Sequence, residues 1–175
     1  ADTLPQLKPL LDTIQAALED NYIHNPYTRC NYYDEEITNK FINDEVDLDN
    51  TKHTSYNEAS FGVNVFTPKA WWSIGGMDEK FYQWGPEDEA MQVAHRVIHG
   101  RPFVKHEGTI YCLGHEKQIH DDGFVEQHYK NTALYLEYLN IKDPELMLDL
   151  VKRKEFLKRN HDENVHRLWV RDNLS

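Results

Sequence analysis

Phe81-Tyr82-Gln83-Trp84-Gly85-Pro86-Glu87-Asp88-Glu89 leads into Ala90 to His99 and then Gly100. Pro86 suits the first helical position, three acids in the first turn favour the positive end of the macrodipole, and Gly100 suits a left-handed stop, so a helix over 86–99 is predicted. Its apolar stripe is Ala90, Val93, Ala94, Val97 and Ile98. Glu87 lies three residues before Ala90, so its carboxylate continues that stripe instead of the solvent face. A carboxylate aimed inward needs a partner. Asp88 is turned about 100° from it and faces the helix mouth beside Tyr82 and Trp84. Two carboxylates, two aromatic rings and the free N–H groups of a first helical turn suit a sugar or polyol, because rings stack on C–H faces and carboxylates accept hydroxyl protons. The same residues also serve as an ordinary helix start, and that plainer reading stands beside the first.

Outward from this helix, Leu7, Leu10, Leu11, Ile14, Ala17 and Leu18 recur at spacings of three and four and predict a helix over 5–20 with these residues as its buried face. Residues 23–33, with Pro26 inside, predict an edge strand or extended segment instead of a central strand. Residues 34–57 are acidic and polar and predict a short helix and then a long mobile loop. Ser60 to Thr67 alternates Phe61, Val63 and Val65 with other residues and predicts a strand in which Gly62 admits a close neighbour. Pro68 opens a short helix through Trp72 that Gly75-Gly76 ends. Beyond Gly100, two short strands are expected at 103–104 and 109–113, then helices over 123–139 and 144–158. The basic run Lys152-Arg153-Lys154 with Lys158-Arg159 reads as a solvated face.

A chain of 175 residues is close to one domain at the usual ~100–200 residues. Four Trp, ten Tyr and seven Phe supply a core despite 28% charged residues. Thirty acids against 19 bases give a formal charge of -11, which argues against a surface built to hold phosphate backbones or anionic lipid, so no nucleic acid partner is expected. Cys30 and Cys112 show no CxxC spacing and indicate neither a zinc cage nor a redox motif; free thiols and one bridge both remain open. No run of about 18 apolar residues and no basic-then-apolar leader occurs, so the chain reads as soluble, with the cytoplasm the favoured location.

A second constellation comprises His106, His115, His120 and His128 with Glu107, Glu116, Asp121 and Asp122. His115 stands out because it follows Leu113-Gly114 at an expected strand end, where sites collect in α/β folds. One His with carboxylates suits Mn²⁺ or Mg²⁺ better than structural zinc. Asp2 taken alone is only a capping candidate.

Taken in order, Phe61-Gly62-Val63-Asn64-Val65-Phe66, Trp72-Ser73-Ile74-Gly75-Gly76-Met77-Asp78-Glu79, Trp84-Gly85-Pro86-Glu87-Asp88-Glu89 and Leu113-Gly114-His115 resemble the C-terminal half of GT-A fold glycosyltransferases. The likeness is to the β-1,4-galactosyltransferase-like group and its family 2 relatives, over about residues 1–120. It implies an α/β fold: the C-terminal portion of a GT-A (nucleotide-diphospho-sugar transferase) domain over 1–122, with a mixed sheet flanked by helices, and a helical C-terminal extension over 123–175. The family's Asp-x-Asp motif resembles Ala1-Asp2-Thr3-Leu4-Pro5, which makes Asp2 its second carboxylate and His115 the C-terminal metal ligand for Mn²⁺ or Mg²⁺. The resemblance further implies Asp88 as the base that deprotonates the acceptor hydroxyl and Glu87 as the group that orients the acceptor. Trp84 then stacks on sugar, with Tyr82, Gly85 and Glu89 completing the acceptor site.

The implied reaction is hexosyl transfer with inversion, from a nucleotide sugar, UDP-sugar favoured, to a glycan or other hydroxyl acceptor. Nucleotide-binding β/α units precede the motif in the family, so a missing N-terminal half is a further expectation. Two other readings compete. One is a catalytically silent glycan-binding module using Tyr82, Trp84 and the acidic segment 34–57. The other is a metal hydrolase built on the His and acid cluster after residue 105, which lacks HExxH-like spacing.

Overall fold

The computed structural model describes residues 2–57, 62–115 and 123–154. It is a mixed α/β structure in two compact units, one made of Ala1–Asp20, His24–Val65 and Val104–Ile119, the other of Asn21–Ile23, Phe66–Phe103 and His120–Ser175.

In the first unit, strands β1 (Thr3–Pro5), β3 (Arg29–Tyr32), β4 (Thr54–Asn57) and β6 (Thr109–Cys112) form a sheet of order β1-β6-β3-β4. β6 runs parallel to β3, and the outer pairs are antiparallel, so the sheet is mixed. β2 (His24–Asn25) and β5 (Val104–Lys105) make a separate parallel pair. Tyr27, Cys30, Ile110 and Cys112 form one buried cluster of this unit, and Tyr33, Leu48 and Tyr111 another. Helix α2 (Glu35–Ile42) starts where Asp34 accepts a hydrogen bond from the Ile37 N–H at 2.8 Å.

Four expectations change here. β3 lies inside the sheet, between β6 and β4. Pro26 falls in the connection before Arg29, so it removes no donor from the ladder. The expected loop over 43–57 holds a 3₁₀ turn (Leu48–Asn50) and β4, whose side chains are all exposed and so show no apolar alternation. The expected strand at 60–67 is reduced to one bridge, His24 to Val65, among the described residues; 58–61 lie outside them. Helix α1 (Leu7–Glu19) forms as predicted but turns a different face inward: Thr13 and Ala17 are buried while Leu7, Leu11, Ile14 and Leu18 are exposed. The Thr13 hydroxyl is satisfied by the Pro9 carbonyl at 2.7 Å, which lets this small polar residue pack.

The described part of the second unit is helical: α3 (Pro68–Ser73), α4 (Glu87–His99), α5 (Phe124–Asn140) and α6 (Pro144–Lys152). Local chemistry sets the ends. Thr67 and Asp143 cap α3 and α6, each followed by Pro at the first turn, and Gly100 closes α4 at φ +69°. The core gathers Ala90, Met91 and Ala94 of α4, Tyr138 of α5, and Met147 and Val151 of α6. Gly76 has φ +66°, and a Cβ there would meet the Trp71 ring at 2.9 Å, so only glycine fits this turn. Lys154 departs from the expected solvated face. It is 2% exposed, and its ammonium donates to the carbonyls of Ile74 (3.0 Å) and Gly76 (2.6 Å). Lys158 and Arg159 lie outside the described residues.

Candidate functional site

The loop 82–86 and the first turn of α4 carry six of the predicted site residues, all in the second unit. Tyr82 and Trp84 are about two-thirds exposed, at 66% and 65%. Gly85, Glu87 and Asp88 are half-buried, and Glu89 is exposed. The inward turn predicted for Glu87 is present: its Oε2 is buried and has no hydrogen-bond partner among the described residues. A carboxylate oxygen withdrawn from water without a donor is costly unless a ligand supplies one.

What holds the loop is a residue that sequence reasoning missed. Asn131 of α5 is fully buried, and its amide donates to the carbonyls of Tyr82 (2.8 Å) and Trp84 (3.0 Å). Its Oδ1 accepts from Gln127 at 2.8 Å and, at a longer 3.4 Å, from the Tyr82 N–H. Gly85 lies so close that a Cβ there would stand 2.6 Å from Asn131 Nδ2. The signal was in the sequence: Asn131 sits seven residues from both Phe124 and Tyr138, on the packed stripe of α5, where an amide needs partners. His128, one helical turn from Phe124, stacks on Trp84 with ring centroids 5.9 Å apart and planes at 15°. Its Nδ1 is buried and unpaired among the described residues.

Behind the loop, Asp78 is 7% exposed and accepts from the Tyr138 hydroxyl at 2.9 Å and the Lys80 N–H at 3.1 Å. Burial, with the Asp78 charge adding to it, raises the Tyr138 phenol above its ordinary range. Burial also pushes the Lys154 ammonium down to about 8, against the opposing pull of Asp78 and Glu79.

The remaining two predicted residues meet in the first unit. His115 Nε2 lies 3.2 Å from Asp2 Oδ2, both side chains more than half exposed. Backbone pairing creates this contact: Thr3 pairs with Cys112, and the Leu113 N–H donates to the Asp2 carbonyl at 2.6 Å. Gly114 follows, at a close approach of two backbones where a Cβ would stand 2.5–2.7 Å from the backbone of Tyr33, Asp34 and Glu35. Its N–H donates to the Thr38 hydroxyl at 2.8 Å. One carboxylate and one imidazole fit a hard divalent cation that takes its other ligands from water and phosphate oxygens. They do not fit a closed structural site, since no group of three or more His, Cys, Asp or Glu that could hold a metal occurs among the described residues.

The other histidines do not join this pair. His106 Nε2 faces His24 Nδ1 at 2.9 Å, and His24 Nε2 faces Asp20 Oδ1 at 2.8 Å. Burial, then the neighbouring His24, pushes the His106 imidazole down. His128 belongs to the Trp84 loop. His120, Glu116, Asp121 and Asp122 lie outside the described residues.

No helix among the described residues is long and apolar enough to cross a membrane. No curated protein and no solved structure matches the chain. Residues 34–105, about two-fifths of the chain, match the family described as the N-terminal domain of galactosyltransferase. The matched stretch runs from the residue that caps α2 to the end of β5 and contains the whole Tyr82–Glu89 loop, but neither Asp2 nor His115. Over those residues the chain is similar to a galactosyltransferase domain, and the similarity supports glycosyl transfer in general.

Proposed function

We propose that this chain takes part in transferring a sugar from a nucleotide-sugar donor, UDP-sugar favoured, to a hydroxyl of a glycan or other acceptor, with inversion at the anomeric carbon. Asp88 is the base: it takes the acceptor hydroxyl proton as the oxygen bonds to the anomeric carbon and the bond to the diphosphate breaks on the opposite face. Glu87 orients the acceptor through the carboxylate oxygen that has no donor among the described residues. Trp84 stacks on the sugar face, while Tyr82, Gly85 and Glu89 shape the acceptor site. Asp2 and His115 would hold Mn²⁺ or Mg²⁺, which when bound supplies positive charge against the departing diphosphate. The chain stands, in this reading, as the acceptor- and metal-binding half of a GT-A catalytic domain.

The observation that carries the proposal is the Tyr82–Glu89 loop inside the galactosyltransferase-like match, fixed by a buried amide and presenting exposed rings beside two carboxylates. The experiment is incubation of the protein with Mn²⁺, a panel of nucleotide sugars and a panel of oligosaccharides, with products read by mass spectrometry. A hexose added to an acceptor, of inverted configuration by NMR, is expected. Acceptor binding without a product from any donor would favour the silent glycan-binding reading.

A further inference from the structure

Two thiols that the proposed transfer does not use face each other inside the first unit. Cys30 of β3 and Cys112 of β6 are both buried, and their Sγ atoms lie 2.8 Å apart. The register creates this approach. Cys30 stands opposite Ile110 in the parallel pair, so Cys112, two residues on, points to the same face of the sheet. An S–S bond is about 2.05 Å long, so the sulfurs need to close by only about 0.8 Å.

The surroundings offer the pair no other use. Its neighbours are Tyr27, Tyr32, Ile110 and Val63, and a soft metal would want further His, Cys or carboxylate ligands that the described residues do not bring. A hydrogen bond joins the two sulfurs. It lowers the Cys30 thiol and raises that of Cys112, which makes Cys30 the better nucleophile.

We propose that Cys30 and Cys112 are a disulfide-forming pair, a reversible covalent link between β3 and β6 made by exchange with a small-molecule disulfide such as oxidised glutathione. One cysteine sulfur attacks the small disulfide, its S–S bond breaks, and one small thiol leaves carrying the first proton. The second cysteine sulfur then attacks the protein sulfur of the mixed disulfide and expels the second small thiol with the second proton. Two protein thiols are oxidised and one small disulfide is reduced to two thiols. Both sulfurs are covered in the folded unit, so exchange proceeds while β6 is open or during refolding. The link would fix the strand that pairs with Thr3 and leads, three residues after Cys112, to His115.

The test is to reduce and denature the full chain, refold it in buffer dominated by oxidised glutathione, quench with acid, alkylate under denaturing conditions and measure the intact mass and the digest. The expected chain is lighter by two hydrogens, takes no alkyl group, and yields a peptide joining Cys30 to Cys112; reduction restores two alkylation sites. Two alkylated cysteines after oxidative refolding would overturn the proposal. So would glutathione on both sulfurs, or a link between two chains in place of the internal one.

Discussion

Replacing Gly85 by Ala tests the bond between α5 and the Trp84 loop, because its outcome depends on a residue 46 positions away. The new Cβ would stand 2.6 Å from Asn131 Nδ2 and 3.1 Å from Asn131 Cβ and Cγ. Asn131 is fully buried and holds two loop carbonyls, so it has no open space to retreat into. Forcing a methyl group into a packed site costs about 1–3 kcal/mol. Asn131→Ala alone loses two donated hydrogen bonds, worth about 1–3 kcal/mol together before any cavity effect. In the double variant the amide is gone, and only the 3.1 Å contact with Cβ remains, which a shift of a few tenths of an ångström relieves. The two costs are therefore strongly sub-additive, with a coupling of at least about 1 kcal/mol. Urea unfolding of wild type, both single variants and the double variant measures it. An equal cost for Gly85→Ala in both backgrounds, within about 0.5 kcal/mol, would refute the latch.

Three further outcomes follow from the same geometry. Lys154 is charged in both states below pH about 8, so its burial then counts fully against folding. Between about 8 and 10.5 the folded chain releases its proton first, the unfolded chain binds more protons, and stability rises with pH, by about 3 kcal/mol at most. Urea unfolding across this range should show that rise in wild type relative to Lys154→Met, and parallel pH profiles for the two would contradict it. Gly114→Ala sets a Cβ against rigid backbone and should cost more than about 2 kcal/mol by thermal unfolding, whereas Gly100→Ala, with φ +69° but open space, should cost only about 1 kcal/mol. Linking Cys30 to Cys112, 82 residues apart, should stabilise the oxidised chain by up to about 4.5 kcal/mol in the loop-entropy model. Calorimetry of oxidised against reduced protein reads this as a higher Tm, and an unchanged Tm would contradict it.

The helices were legible where their ends carry chemistry. Pro86 with its acids and Gly100 bound α4 close to the sequence-based bounds, and Asp143-Pro144 starts α6 as expected, but α6 ends at Lys152, short of the expected 158, as the chain turns to bury Lys154. The faces were less legible. The leucine stripe of α1 announces a helix, but the packed side is set by Thr13 and Ala17, whose small size permits close approach and leaves no hydrophobic mark. β4 was hidden because an exposed strand of Thr, Ser, Tyr and Asn has no apolar alternation, and its existence depends on pairing with β3. The Trp84–Asp88 loop was singled out by its local motif and Asp2 by the resemblance alone, and the structure shows that Asp2 and His115 lie 3.2 Å apart. Asn131 left only its position on the α5 stripe as a signal and Lys154 left none, since the partners of a lone amide and of one lysine in a basic run are carbonyls that folding brings to them.

Acceptor activation by the loop at the start of α4 rests on one carboxylate, and Asp88→Asn removes it. The substitution keeps the size of the side chain and removes its capacity to take a proton. Turnover with nucleotide sugar, Mn²⁺ and a responsive acceptor should fall by about 10²–10⁴-fold while acceptor binding persists. Turnover equal to wild type would show that Asp88 is not the base.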